Sequence, residues 1–305
     1  LVRSRGLGDV YKRQPIYILK LLPYFHKYDI IHTHNTAPQL FAAIASLVSS
    51  VVLCTTEHTT SNRRRSLKWY RPIDKWMYSR YKKIISISPA TTENLRKHIK
   101  KSCPIDTIPN GINVERYSAA ISVERKNIGC KNDAFLLMMV AGFRYQKDQD
   151  TIIRALTLLP KNVQLCLVGD GDRRDECEEL VKRLNLGERV VFTGVRSDIP
   201  NVLKAADVVI MSSHLEGFGL AAVEGMAAGK PVVASDVVGL GDIVKNYGCV
   251  FPQGDERKLA EIVDCLRNDS NLYKALAGQC YSRSKDYDIS KTIDSYIDIY
   301  ESIVK

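Results

Sequence analysis

Two parallel, doubly wound α/β sheets are what this sequence predicts, and three observations carry the prediction. Strand-like and helix-like runs alternate through nearly the whole chain. The strand-like runs are continuously apolar, as strands covered on both faces are. A turn-rich Pro109-Asn110-Gly111-Ile112 divides the runs into two series, so two sheets fit better than one.

In the first series, residues 16–26 read as a helix and Asp29-Ile30-Ile31-His32-Thr33 as a strand. Pro38 then opens an apolar helix through Leu47, at a first-turn position where its missing N–H costs nothing. Residues 51–55 and 83–88 are further strands. Ser88-Pro89 supplies a cap and a first-turn proline for a helix to His98, and residues 105–108 form a short fourth strand. In the second series the strands are residues 135–141, 164–168, 189–193, 207–212 and 231–235, with helical runs between them. The polar stretch 118–133 reads as surface. Ile293, Tyr296, Ile297, Tyr300 and Ile303 mark an amphipathic closing helix.

The chain has 305 residues, enough for two domains, and its 45% apolar and 26% charged content is that of a globular protein. No run reaches the roughly 20 apolar residues that span a bilayer; the longest, 41–56, is interrupted by Ser46, Ser49 and Ser50. No secretory signal is legible, so a cytoplasmic setting is expected. Asp9-Val10-Tyr11-Lys12-Arg13-Gln14 can be written as the translation of a transposon end used in preparing DNA libraries. Residues 1–14 are therefore read as a sequencing or assembly remnant and set aside, a native basic arm being the alternative. Without their net +3 the formal charge of +10 becomes +7, which suits nucleotide phosphates or an anionic membrane surface. The eight cysteines include no CxxC pair and no zinc spacing, and read as reduced thiols.

The most informative stretch runs from His214 to Pro231, HLEGFGLAAVEGMAAGKP, after the strand ending near Ser212. Its glycines let backbone approach a ligand closely. A helix starting near Gly219 points its N-terminal N–H groups over the loop, a natural diphosphate site. Glu216 lies in that mouth and Glu224 further inside the helix. Carboxylates beside a phosphate site suit the hydroxyls of a sugar and a ribose better than the phosphate.

The pair Glu216 and Glu224, the GFGLAAV between them and the following AAGKPVVASD resemble the signature of the retaining glycosyltransferases of family 4. The segments IPNGI, residues 140–150, LVGDG and FTG with Asp198 follow in the family's order, so the resemblance covers roughly residues 29–300. It implies a GT-B fold: two Rossmann-like domains facing across a cleft, acceptor on the first and nucleotide on the second. The implied divisions are 15–110 for a partial first domain, 111–285 for the nucleotide-sugar domain and 286–305 for a helix crossing back.

The resemblance also implies roles. Glu224 would hold ribose hydroxyls, and Glu216 the transferred sugar. The backbone of Gly217, Phe218, Gly219 and Leu220 would face sugar and phosphates. Gly194, Val195 and Arg196 would lie near the base, a solvated arginine being the alternative for Arg196. Lys147 matches the family's diphosphate lysine. The family arginine falls where Gly142 stands, so Arg144 would have to reach the same phosphate by another route. With two cations on the diphosphate, no cofactor and no metal motif is required; Asp170-Gly171-Asp172 reads as a strand-end turn.

In the first domain His32-Thr33-His34 and Thr56-Glu57-His58 end neighbouring strands. His58 matches the family histidine beside the donor sugar, or else bonds loop backbone; His32 and His34 shape the acceptor side or the loop. Residues 62–83 hold Arg63, Arg64, Arg65, Lys68, Arg71, Lys75, Arg80, Lys82 and Lys83 among aromatics. This reads as a helix lying on an anionic membrane or gripping a lipid-linked acceptor, or as a solvated helix with core aromatics. Nothing before Asp29 supplies the family's opening strand and glycine-rich turn, which implies an N-terminal truncation.

The expectation is transfer of a sugar from a nucleoside diphosphate sugar to a hydroxyl acceptor with retained configuration, in surface polysaccharide or glycolipid assembly. A GT-B-fold sugar-nucleotide epimerase and an inactive nucleotide-binding fragment are the alternatives. A nicotinamide enzyme lacks an early GxGxxG, and nucleic-acid binding lacks a recognition motif.

Overall fold

The structure is a computed structural model describing residues 14–59, 65, 67–99 and 104–304, with the backbone alone for 14–17 and 68. Residues 1–13, Arg63, Arg64 and Cys103 thus lie outside the described residues. The chain forms two compact units, Leu1–Pro109 with Ile293–Lys305, and Asn110–Thr292.

In the first unit α1 (Gln14–Phe25) leads to β1 (Ile30–His34), α2 (Thr36–Ala45), β2 (Val52–Glu57), α3 (Arg71–Ser79), β3 (Lys83–Ser86), α4 (Pro89–Ile99) and β4 (Ile105–Thr107). The sheet is parallel in the order β1-β2-β3-β4. Ser88 Oγ accepts from the Thr91 N–H and starts α4, the cap legible in the sequence. Strand alternation sends successive residues to opposite faces, and both faces are packed. Leu53 and Ile84 pack with Phe25, Ala42, Met77, Tyr78, Leu95 and Ile99. The next residues along, Cys54 and Ile85, pack with Ile108, Ile299 and Ile303. Those last two belong to α13 (Ile289–Val304), the helix that ends the chain.

In the second unit α5 (Val114–Ser118) precedes β5 (Phe135–Val140), α6 (Gln149–Thr157), β6 (Val163–Val168), α7 (Arg174–Arg183), β7 (Val190–Gly194), α8 (Ile199–Ala205) and β8 (Val208–Met211). Then come α9 (Leu220–Ala227), β9 (Val232–Ser235), α10 (Gly241–Val244), β10 (Cys249–Phe251), α11 (Glu256–Asn268) and α12 (Ser270–Ser284). The parallel sheet has the order β10-β9-β8-β5-β6-β7. The order reverses between β5 and β8, where loops diverge to opposite faces and leave a crevice at the strands' carboxyl ends.

Three expectations need correction. β10 is a strand that the sequence reading passed over: three residues between Gly248 and Pro252 give no run to recognise. The stretch 118–133 is not all surface. A 3₁₀ turn at Arg125–Ile128 buries Ile128 and Cys130. Arg125 there donates to the Ala205 and Ala134 carbonyls and to Asp207. The basic segment 62–83 is not one helix, but a 3₁₀ turn (Lys68–Tyr70), α3 and the start of β3. Its Met77, Tyr78 and Tyr81 are core, while Trp69 and Trp76 are exposed. Among the described residues no helix is long and apolar enough to cross a membrane.

Candidate functional site

The site begins at the reversal in the second sheet. β5 and β8 are hydrogen-bonded neighbours, Leu137 beside Val208 and Met138 beside Val209, so their following loops emerge together. Three bonds tie those loops. The Ser212 hydroxyl donates to the Asp148 carbonyl at 2.6 Å. The His214 N–H donates to the Gln146 carbonyl at 2.9 Å. Behind them Ser235 Oγ donates to the Ser213 carbonyl at 2.6 Å. Asp148, held in the left-handed region at φ 49°, caps α6 through the Thr151 N–H and hydroxyl.

Lys147 and Glu216 are thereby delivered to one place: Nζ lies 2.5 Å from Oε2. The expectation gave them separate partners, but in the structure they pair with each other. The Ser213 hydroxyl reaches the same carboxylate oxygen at 3.4 Å. Gly219 ends the loop at φ 101° as the residue before α9. A Cβ there would sit 2.8 Å from Leu240 Cδ1, so glycine is required on two counts. Gly217 and Phe218 complete the turn. Phe218 is buried edge-on against Tyr287, and Leu220 opens α9 partly exposed.

Arg144 is exposed and makes no ion pair among the described residues. A Cβ on Gly142 would lie 4.0 Å from its Nε. The guanidinium thus folds back over the residue that lacks a side chain. Gly194, at φ 72°, ends β7, and Val195 beyond it is exposed. Arg196 is not free: its Nε and NH2 grip Asp198 at 2.9 and 2.7 Å. Asp170 accepts from the Gly171 N–H, closing the strand-end turn.

Glu224 is half-buried one face away from Glu216. Burial raises its carboxyl above the ordinary range, while the Tyr117 hydroxyl and Arg116 pull it back. Tyr117 lies on α5, packed against α9, and donates to Glu224. The sequence reading missed Tyr117, since nothing local marks a residue whose partner stands more than a hundred residues away in the chain.

In the first unit β1 and β2 run in register, His32 beside Cys54 and His34 beside Thr56. Their ends gather three histidines. His34 Nδ1 is 2.8 Å from His58 Nε2, and the His32 ring stacks on His34 at 4.4 Å. His32 is locked from both sides, Nε2 2.9 Å from the Thr56 hydroxyl and Nδ1 2.5 Å from the Tyr300 hydroxyl. The Tyr296 hydroxyl lies 3.0 Å from the same threonine oxygen. Burial, then the charges of His34 and His58, push His32 down to about 4. Burial also lowers His34 and His58. The three rings are therefore neutral near pH 7, each able to donate one hydrogen bond and accept another. Among the described residues the partner of His58 is His34. Its neighbour Glu57 points inward to Gln39, Tyr78 and Arg65.

Comparison with known proteins follows this geometry. The family described as Glycosyl transferases group 1 matches residues 121–283, and the one described as Glycosyltransferase Family 4 matches residues 3–116. An uncharacterized glycosyltransferase of Methanocaldococcus jannaschii is 32% identical over 80% of this chain and 67% of its own length. The UDP-Gal:alpha-D-GlcNAc-diphosphoundecaprenol alpha-1,3-galactosyltransferase of Escherichia coli is 28% identical over 91% of this chain and 76% of its own. Among solved structures, Anabaena HepE in complex with UDP superposes with a TM-score of 0.84. That match covers 93% of this chain and 82% of HepE at 24% identity. The fold is thus that of the GT-B glycosyltransferases, and with more than half of its length matched the chain belongs to the glycosyl transferases of group 1.

Proposed function

We propose that this glycosyltransferase moves a sugar from a nucleoside diphosphate sugar to a hydroxyl acceptor, retaining the anomeric configuration. The observation that carries the reading is the meeting of Lys147, Glu216 and the start of α9 at the reversal of the second sheet. There the donor diphosphate takes the Lys147 ammonium from Glu216 and lies against the α9 N–H groups and Arg144. The freed Glu216 carboxylate accepts hydrogen bonds from the transferred sugar. Glu224 accepts from the ribose hydroxyls, and Gly194, Val195 and Arg196 flank the base.

In the first unit the neutral His58, steadied by His34, positions the sugar, and His32 and His34 shape the acceptor side. No side chain is placed as an attacking nucleophile in this reading. The acceptor hydroxyl therefore attacks on the face the diphosphate leaves, and the leaving phosphate oxygen takes its proton. The name of the Escherichia coli relative, with its UDP-galactose donor and lipid diphosphate acceptor, supports the donor class and a setting in glycolipid assembly. Transfer to an acceptor is preferred over epimerisation because the relatives above are named as transferases.

The test is calorimetric titration with UDP, GDP and ADP of the chain and its Glu224→Ala variant, then product analysis with the matching sugar donor. Selective binding of one nucleotide, weakened by the substitution, is expected. Equal binding by both proteins removes Glu224 from the donor site, and an inverted product removes the retaining mechanism.

A further inference from the structure

We propose that Arg65, Arg71, Lys97 and His98 form a second anion site, within the first unit, that receives the phosphate of a phosphomonoester or diphosphate. These four side chains and Asn94 line a recess of about 270 Å³ against α3 and α4. No carboxylate is among them. The nearest acids reach the cations from elsewhere: Glu57 meets Arg65 at 2.8 Å, Asp74 meets His98 at 2.9 Å and Glu93 meets Lys97 at 2.6 Å.

Among the described residues Arg71 has no such partner. Its Nε and NH2 donate to the His98 and Lys97 carbonyls at 3.2 and 3.3 Å, so its charge is anchored without being neutralised. Arg65 adds an independent sign. Its side chain is only 7% exposed, NH1 and NH2 are bonded to Asn94 and Glu57, and Nε is buried with no hydrogen-bond partner. A buried donor without an acceptor is costly, so Arg65 keeps unused bonding capacity beside the recess. A guanidinium pair beside an ammonium is the donor set that phosphate oxygens select.

Two sources supply such a phosphate. One is a phospholipid headgroup, for which the exposed Trp69, Ile73 and Trp76 offer interfacial anchors. The other is a phosphorylated solute. The experiment uses the full chain in a Lys147→Ala background, so that the diphosphate site of the second unit does not contribute. Inorganic pyrophosphate is titrated calorimetrically. In parallel, sedimentation is measured with vesicles of phosphatidylcholine alone, with added phosphatidylglycerol, and with added oleate as a phosphate-free anion.

Two further substitutions read the recess without disturbing the core. Lys97→Glu reverses an exposed charge. Asn94→Asp keeps the acceptor that Arg65 uses while adding a negative charge beside it. Each is expected to weaken binding of pyrophosphate or of phosphatidylglycerol vesicles about tenfold. Lys161→Glu, an equal charge change in the second unit, is expected to leave binding unaltered. Pyrophosphate binding without a vesicle preference assigns a solute, and preference for phosphatidylglycerol over oleate assigns a headgroup. The proposal is overturned if neither probe binds, if pyrophosphate does not bind and oleate serves as well as phosphatidylglycerol, or if Lys161→Glu costs as much as Lys97→Glu.

Discussion

Glu224 and Lys147 differ in what surrounds them, and that decides what each substitution costs. Glu224 is a half-buried carboxylate, so its loss removes charge-assisted hydrogen bonds from a partly dry site. Glu224→Ala is expected to weaken nucleotide binding tenfold or more by calorimetry, with little change in thermal stability. Tyr117 donates to Glu224 and helps keep it ionised. Donor affinity should therefore fall as acid protonates Glu224, and Tyr117→Phe should move that fall to higher pH. An unmoved midpoint in a pH series of titrations would detach Tyr117 from the site. Lys147 pairs with Glu216, and its proposed task lies with the leaving diphosphate. Lys147→Ala is expected to lower turnover about a hundredfold, more than it lowers ground-state binding. At this scale the sequence was informative where one loop carries its own chemistry, as HLEGFG does. It was silent on pairs made across the fold: Lys147 with Glu216 and Tyr117 with Glu224.

The strand ends and helix starts are where single residues act through their element. Gly219 is the hinge between β8 and α9, and Gly219→Ala meets both a positive φ and Leu240. We expect a loss of about 1–3 kcal/mol in denaturant stability together with weakened nucleotide binding, since a methyl group strains the positive-φ backbone just before α9. The histidines at the ends of β1 and β2 set a pH limit of a different kind. Their folded pKa values lie below the ordinary 6.5, so the unfolded chain takes up protons first as pH falls. The stability they contribute is present above pH 6.5 and is lost as pH falls through the folded values, down to about 4 for His32. His32→Gln should flatten the slope of unfolding free energy against pH in that window by an amount on the order of 1–2 kcal/mol. Most helices and strands were legible because their apolar runs and caps are local. β10 and the Arg125–Ile128 turn were not, because each is held by neighbours distant in sequence: β10 pairs with β9, and Arg125 reaches Ala205 and Asp207.

Over the whole molecule, the reversal of strand order in the second sheet explains why two loops more than sixty residues apart supply one site. The interruption at 109–112 marked the passage between units in the sequence, because a Pro-Asn-Gly turn is local punctuation. The second passage leaves no such mark. It falls inside a helix, between Thr292 and Ile293 of α13. At this scale the prediction concerns charge. The chain carries a formal +10, so donor and acceptor association should slow as salt is raised, and stopped-flow rates across a salt series would show it. The same helix has a practical corollary. Ile299 and Ile303 fill one face of the first sheet, and Tyr296 and Tyr300 fasten Thr56 and His32. Removing or tagging the last dozen residues is thus an edit to the amino-terminal unit, and a nick near residue 292 would disarm histidines that precede it by more than two hundred positions.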